Sequence, residues 1–584
     1  MNRRSFIGMA GLGTAGFTSF AGEASMPKCP EPAEQEPARY GAQRCVSEWS
    51  YISRKNYADP FNNLDLDVIF TDPQGKEHRV PAFWAGDQVW KIRFAPPIPG
   101  RYTYRTVASD ASNADLHGRQ GTLEAAAYAG NHPILKHGSI RVAADHRHFE
   151  HEDGEHFFWL ADTWWMGLCY RLRWPEDFGL LVEDRVAKGF TVVQIVAGLY
   201  PDMPPLDPRG ANEAGFPWEK DYSRINPHYF DMADLRIAYM VERGLAPCFF
   251  ACWGYFLPIM GIPKMKQHWR YLVARWGALP VIWCLAGEAT MPYYESADFK
   301  DFVAKHTSDA SIRQKTGWTE VGKYLRTLDP YHHPITIHPP GQLAGGRGCV
   351  DDPAVLDFDM TQTGSSGSLT RALPLTVEAM TAAVRLDPPM PVIDGEVVYE
   401  GNMGGWNCPP TQRWAFWTCI LNGAAGHTYG AGGLWNANSY DHLYGLSPAG
   451  FRKDIQSWQE AYQLPGSKQL GIGKAFLMRF PWWRLEPHSE WVEPHWSKED
   501  YELPYAAGIP GELRIIFLSQ QVPRTNPLKV VAFEPGVNYR AFSFCARTGE
   551  EHQIGDVAPA ADDSWTIPIS PTAEQWLVVL EKKA

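Results

Sequence analysis

Eight short apolar runs alternate with stretches of helical periodicity through the middle of this chain, and that alternation narrows its fold more than any other feature. The runs are Phe157 to Asp162, Thr191 to Ala197, Ala246 to Trp253, Pro280 to Glu288, Pro334 to Pro339, Leu356 to Thr363, Pro391 to Glu396 and Gly426 to Gly430. Amphipathic stretches lie between them, among them Pro175 to Lys188, His228 to Arg243, Lys264 to Trp276, Ile312 to Leu328 and Thr411 to Asn422. A run that is apolar on both faces reads as a parallel strand covered by helices. Eight such units fit a closed (β/α)8 barrel better than an open doubly wound sheet, whose strands are usually fewer. The expected fold class is α/β, a TIM barrel spanning residues 127–465.

The flanks have a different period. Residues 44–126 alternate in short strands, with Asp72-Pro-Gln-Gly and Pro96-Pro-Ile-Pro-Gly as turns, which predicts an antiparallel β-sandwich. Residues 26–43 are rich in Pro and Glu and read as a linker. The Asp153-Gly154 pair marks a hairpin just before the barrel. From Gly466 helical periodicity fades, and residues 466–584 read as a second β-sandwich.

Residues 1–25 have the layout of a secretory signal, and Arg3-Arg4 points to the twin-arginine route, so the protein is expected to be exported, to a periplasm or beyond the cell. Gly11 to Gly16 spells G-x-G-x-x-G, but no strand precedes it, so no dinucleotide cofactor is inferred. No other cofactor is indicated. A net charge of -12, with no basic run after the first residues, argues against a nucleic-acid partner. Nothing past the N-terminus approaches the roughly 18 uninterrupted apolar residues of a membrane span, so the mature form is expected to have no membrane anchor. Ten cysteines are too few for a disulfide scaffold in so long a chain. Bridges between Cys29 and Cys45 or between Cys349 and Cys408 are the candidates. The 24 Trp residues suit sugar stacking as well as core packing.

In such a barrel, polar residues at the C-terminal ends of the strands converge on one mouth. Glu288 closes the fourth run and Glu396 the seventh. Two carboxylates across one cleft are the minimum for breaking a glycosidic bond, one as proton donor and the other as nucleophile or base. A separation of about 5 Å goes with retention of configuration and one of roughly 6.5–9.5 Å with inversion. Asp394, two residues before Glu396, is expected to face the same way and brace a neighbour. Asp162, Trp164, Gln194, Trp253, His338, Gln362, His427 and Tyr429 are the candidate substrate ligands, with Trp253 and Trp283 making the pocket partly apolar. No metal site is inferred. His338 and His427 lack a third ligand at fitting spacing, and the cluster Asp145, His148 and His151 reads as hairpin surface.

The sequence resembles the apiosidase-like glycoside hydrolases over most of its length. The motifs that carry the resemblance are Phe158 to Trp164, Ala187 to Gln194, Ile282 to Glu288, Pro391 to Glu396 and Gly423 to Gly430, five in order around one barrel. The N-terminal sandwich is similar to a β-domain often found before such barrels, and the C-terminal one resembles a module that carries the name collagen-binding. The resemblance implies a retaining pair on the fourth and seventh strands, here Glu288 and Glu396, acting on plant-type or microbial glycans. One departure stands out: such barrels usually carry Gly-Gly-Asp at the fourth strand, where this chain has Ala286-Gly287-Glu288, a side chain one methylene longer. Two other readings are open at this point, a carbohydrate-binding barrel without turnover and, on the twin-arginine signal alone, a secreted oxidoreductase. The loops Tyr200 to Tyr222, Met291 to Ser311 and Val398 to Pro410 are expected to set the substrate.

Overall fold

The computed structural model describes residues 36–291, 310–341, 343, 345–364, 369–402, 408–448, 450–519 and 527–583. The expected signal, Cys29, most of the linker and most of the Met291 to Ser311 loop lie outside the described residues.

The central sheet has eight strands, all parallel: β1 (Trp159–Trp164), β2 (Val192–Val196), β3 (Ala246–Phe250), β4 (Ile282–Cys284), β5 (Ile335–Thr336), β6 (Asp359–Gln362), β7 (Val392–Glu396) and β8 (Gly426–Tyr429). They pair in the order β5-β4-β3-β2-β1-β8-β7-β6. The two ends of that order meet where Asp357 N–H donates to Ile335 O at 2.8 Å and Thr336 Oγ1 donates to Phe358 O at 2.9 Å. The sheet is a (β/α)8 barrel. Helices follow most strands; between β5 and β6 the described chain instead makes two 3₁₀ turns, Gly346–Cys349 and Pro353–Val355, in a segment too rich in Gly and Pro for a helix. Among the described residues, no helix is long and apolar enough to cross a membrane.

Local chemistry sets the covering helices. Helix Pro227–Glu242 starts where the Asn226 side chain accepts from His228 N–H, and Pro227 occupies a first-turn position that needs no donor. Helix Ile262–Trp276 lays its aromatic face on the sheet, with Trp276 stacked on Phe249 of β3 at 4.3 Å. Burying a ring system of that size removes about 150–250 Å² from water, worth about 4–6 kcal/mol before entropy is counted.

The N-terminal domain stacks a five-stranded sheet on a three-stranded one, with Phe70 and Phe94 face to face at 3.9 Å between them. Residues Arg39–Ala42, read from sequence as linker, form its edge strand and pair in parallel with Leu123–Ala126. The C-terminal domain has a six-stranded and a three-stranded sheet. Its expected first residues are helical instead, in Pro465–Leu477. Three glycines there lower helix propensity and so hide the helix from a sequence reading. They also let it lie close to the barrel: a Cβ on Gly471 would sit 2.1 Å from Lys188 O, and one on Gly473 would sit 2.7 Å from Phe416. Cys349 and Cys408 are free thiols, so that candidate bridge is not formed, and Cys169, Cys248, Cys252, Cys284 and Cys419 are buried free thiols as well.

Candidate active site

Glu396 owes its direction to a break in alternation. Strand β7 pairs with β6 through Thr361 opposite Asp394 and then Gln362 opposite Glu396, so the ladder passes over Gly395. Such a bulge rotates the strand and re-aims the next side chain. Asp394 therefore faces the helices, where it accepts from Thr363 Oγ1 at 2.5 Å, while Glu396 faces the barrel mouth. This corrects the expectation that the two share a face. Gln194 of β2 holds the bulge, donating from Nε2 to Gly395 O at 2.8 Å across the barrel interior.

Glu288 lies four residues past the end of β4, where the backbone turns to a φ of 37°. That left-handed conformation is disfavoured for a residue with a side chain and costs about 1–3 kcal/mol, a strain typical of functional positions. It lets Glu288 N–H donate to His338 Nδ1 at 3.2 Å. His338 is fully buried, and burial pushes its ring down to about 3, so the imidazole is neutral with its proton on Nε2. That nitrogen lies 3.5 Å from Glu396 Oε2. One ring thus spans the backbone of one glutamate and the carboxyl of the other.

Two N–H groups address the Glu288 carboxyl: Trp253 Nε1 reaches Oε2 at 3.0 Å and Gln362 Nε2 reaches Oε1 at 3.1 Å. On the other side, Tyr399 hydrogen-bonds Glu396, and its hydroxyl accepts from Trp165 Nε1 at 2.9 Å. Trp165 meets Trp253 edge-on at 5.4 Å and His338 at 5.9 Å, which packs the floor tightly. Both glutamates keep some solvent exposure, 16% for the Glu396 side chain. Burial raises both carboxyls. Repulsion from Glu288 raises Glu396 further, whereas the two N–H donors pull Glu288 back towards its charged form. Loss of the proton from one carboxyl therefore depends on the charge of the other.

Of the expected ligands, Trp253, His338 and Gln362 meet at this mouth. Gln194 is inside the barrel beneath it, fully buried. Asp162, Trp164, His427 and Tyr429 face outward, because the inward positions of β1 and β8 are Trp159 and Thr428, joined by Trp159 Nε1 donating to Thr428 Oγ1 at 3.2 Å. Alternation then turns Asp162 to Arg185 of helix Glu176–Ala187 at 2.6 Å, both side chains fully buried. Trp164 Nε1 donates to Asp162 Oδ2 at 2.7 Å, and Tyr429 donates to Glu400 Oε2 at 2.6 Å. His427 packs its ring against Phe416 behind the sheet at 5.5 Å. Trp283 also faces a helix side, donating to Asp329 Oδ2 at 2.9 Å, so it does not line the pocket. Sequence reasoning missed Trp165, Tyr399 and Lys453, whose charge lowers both glutamates. Continuing the β1 alternation inward from Trp159 would have pointed to the end of that strand; Lys453 comes from a distant loop and carries no signal.

A sequence-family comparison matches residues 143–484, more than half of the chain, to the apiosidase-like catalytic domain. The chain belongs to that family. It is therefore a glycoside hydrolase, and its substrate is a carbohydrate. A domain of unknown function, DUF5060, matches residues 45–109. Comparison with curated proteins finds no match. Among solved structures, a glycoside hydrolase family 5 protein from Bacteroides vulgatus ATCC 8482 aligns at 20% identity and a TM-score of 0.62, over 76% of this chain and 93% of the other. A second protein from that organism aligns at 16% identity and 0.65, over 93% and 100%. A further glycoside hydrolase aligns at 19% and 0.59, over 76% and 97%. At these identities the likeness is one of fold.

Proposed function

We propose that this apiosidase-like chain is an exported enzyme that cleaves glycosidic bonds of a plant-type or microbial glycan with retention of configuration. Glu288 and Glu396 would be its catalytic carboxyls. The observation that carries this reading is the placement of two partly exposed glutamates at the C-terminal mouth of one barrel, with Trp253 and Gln362 donating to Glu288 and the His338 ring spanning the two. In the assignment the family resemblance implies, Glu288 protonates the leaving oxygen and Glu396 attacks the anomeric carbon; after the sugar is transferred to Glu396, Glu288 takes a proton from water. His338, neutral, would donate from Nε2 to the Glu396 side of the site, and Trp253 and Gln362 would orient Glu288.

One observation favours the reverse assignment. Two N–H donors favour the charged form of Glu288 while burial and repulsion raise the proton affinity of Glu396, the directions a Glu288 nucleophile and a Glu396 acid would need. Azide rescue separates the two. With an activated aryl glycoside and azide, a variant lacking the acid/base yields a glycosyl azide of retained configuration, and one lacking the nucleophile yields the inverted product. Glu288→Ala and Glu396→Ala should each give one of these. The glycan itself is to be found by product analysis on a panel of plant and microbial oligosaccharides. Glycoside hydrolysis through this pair is refuted if both variants keep wild-type turnover.

Export rests on Arg3-Arg4 and the short apolar stretch after them. A reporter fused behind residues 1–30 should leave the cytoplasm, and Arg3→Lys with Arg4→Lys should stop it. Export unchanged in that double variant would exclude the twin-arginine route.

A further inference from the structure

We propose a divalent transition-metal site, with zinc as the best-fitting ion, at His148, Glu150 and His156 on the hairpin that leads into the N-terminal end of the barrel. Strands Phe149–His151 and His156–Phe157 pair antiparallel with Glu150 directly opposite His156, so those two side chains share a face. His148 is two positions before Glu150 and joins them by the same alternation. One ligand atom from each residue can be chosen so that all lie within 4.8 Å of one another.

The tautomers fit a metal. Asp145 Oδ2 accepts from His148 Nδ1 at 2.9 Å, which places the ring's proton there and leaves Nε2 with a lone pair. A carboxylate behind an imidazole is how metal-binding histidines are usually held and made more basic. His148 Nε2 is 2.9 Å from His156 Nδ1, which donates to it. A metal would replace that proton: His156 would carry its hydrogen on Nε2 instead, with no net loss of charge, and the nitrogens would part to the roughly 3.3 Å set by two bonds of about 2.0–2.1 Å in tetrahedral geometry. Glu150 gives Oε1 to Arg141 at 2.9 Å; with Arg141 half exposed that pair is weak, and the other oxygen can turn to the ion.

Both rings are held in advance. His156 stacks on Trp483 at 3.7 Å, and His148 meets Trp482 edge-on at 6.0 Å, so binding would order little. Two imidazoles and a carboxylate with a fourth position for water is a donor set that zinc takes readily. The site is at the far end of the barrel from Glu288 and Glu396, since Phe157 runs directly into the start of β1. The ion's role is therefore to tie the two strands of the hairpin together, and the reaction does not use it.

Calorimetry on the full chain, free of any purification tag and stripped with EDTA, tests this with zinc chloride as titrant. One ion per chain should bind with micromolar affinity and raise the melting temperature by about 2 °C or more. His156→Gln and Glu150→Gln should each weaken binding at least tenfold, Asp145→Asn should weaken it through His148, and His137→Gln, whose ring pairs with Asp153 elsewhere on the hairpin, should leave it unchanged. Cobalt in place of zinc should give the visible bands of a four-coordinate site, which does not depend on any variant folding. Turnover should be the same with and without zinc. Absence of stoichiometric binding, binding untouched by both His156→Gln and Glu150→Gln, or activity that vanishes with EDTA and returns with zinc would each overturn the proposal.

Discussion

Gln194 and Gly395 are joined across the barrel by a single 2.8 Å hydrogen bond from a side-chain amide to a backbone carbonyl. That bond fixes the bulge that turns Glu396 to the mouth, although Gln194 itself is fully buried. Gln194→Leu keeps most of the volume and removes the donor. Its expected effect is a fall in kcat of about 10- to 100-fold with KM nearly unchanged, because a misplacement on the order of 1 Å at a reacting group costs that much. A Gln194→Leu enzyme with normal kcat and a raised KM would instead make Gln194 a sugar ligand.

Trp253→Phe tests the donors on Glu288. The indole N–H favours the charged carboxylate, so its loss moves the Glu288 pKa up. With Glu288 as proton donor, the alkaline limb of the kcat/KM profile should then shift to higher pH, by on the order of one unit if the bond contributes about 1.4 kcal/mol. Gln362→Leu should do the same to a similar degree. A shift of the acidic limb instead would make Glu288 the nucleophile, and both limbs unmoved in both variants would mean that Glu288 governs neither.

The barrel was legible because eight apolar runs of strand length between amphipathic segments admit few other folds. The two glutamates were legible because each closes such a run. What failed was the facing of side chains. Asp162, Trp164, His427 and Tyr429 were placed at the mouth on the strength of their position near strand ends, but alternation counted from Trp159 and Thr428 sends them to the helices. Alternation also misled at Asp394 and Glu396, where one glycine in the bulge reverses it. Pairing register is a property of two strands together, and no single run carries it. The helix at Pro465 was hidden by glycines whose purpose is close approach to the barrel.

Asp162 and Arg185 form a fully buried ion pair, and Arg185 also pairs with the less buried Asp184, so Asp162→Asn leaves the guanidinium one of its two carboxylates. Breaking one side of a buried pair costs about 3–5 kcal/mol, and Asp184 offsets part of that here. Arg185 also lies over the rings of Phe190 and Tyr429 at 5.4 and 5.6 Å, so the loss would spread through the interface between β8 and helix Glu176–Ala187. The variant should show a lower urea midpoint and, where folded, a KM close to that of the wild type. A large KM increase with unchanged stability would return Asp162 to the substrate.

Asp394 gives a stability signature that separates it from Glu396. Burial pushes its carboxyl up to about 7 from an ordinary 3.8. Between those values the unfolded chain has released the proton and the folded chain still holds it, so this group's contribution to stability is complete below about pH 4 and is lost as pH rises through about 7. At a difference of about three units the loss is on the order of 4 kcal/mol, one unit being about 1.4 kcal/mol. Asparagine has nearly the same shape, can still accept from Thr363 Oγ1, and does not ionise. Asp394→Asn should therefore gain on the wild type as pH is raised from 4.5 to 7.5, measured as the difference in urea unfolding free energy, while keeping activity because the carboxyl faces the helices. Parallel stability curves for the two proteins across that range would show that Asp394 is already charged in the folded state.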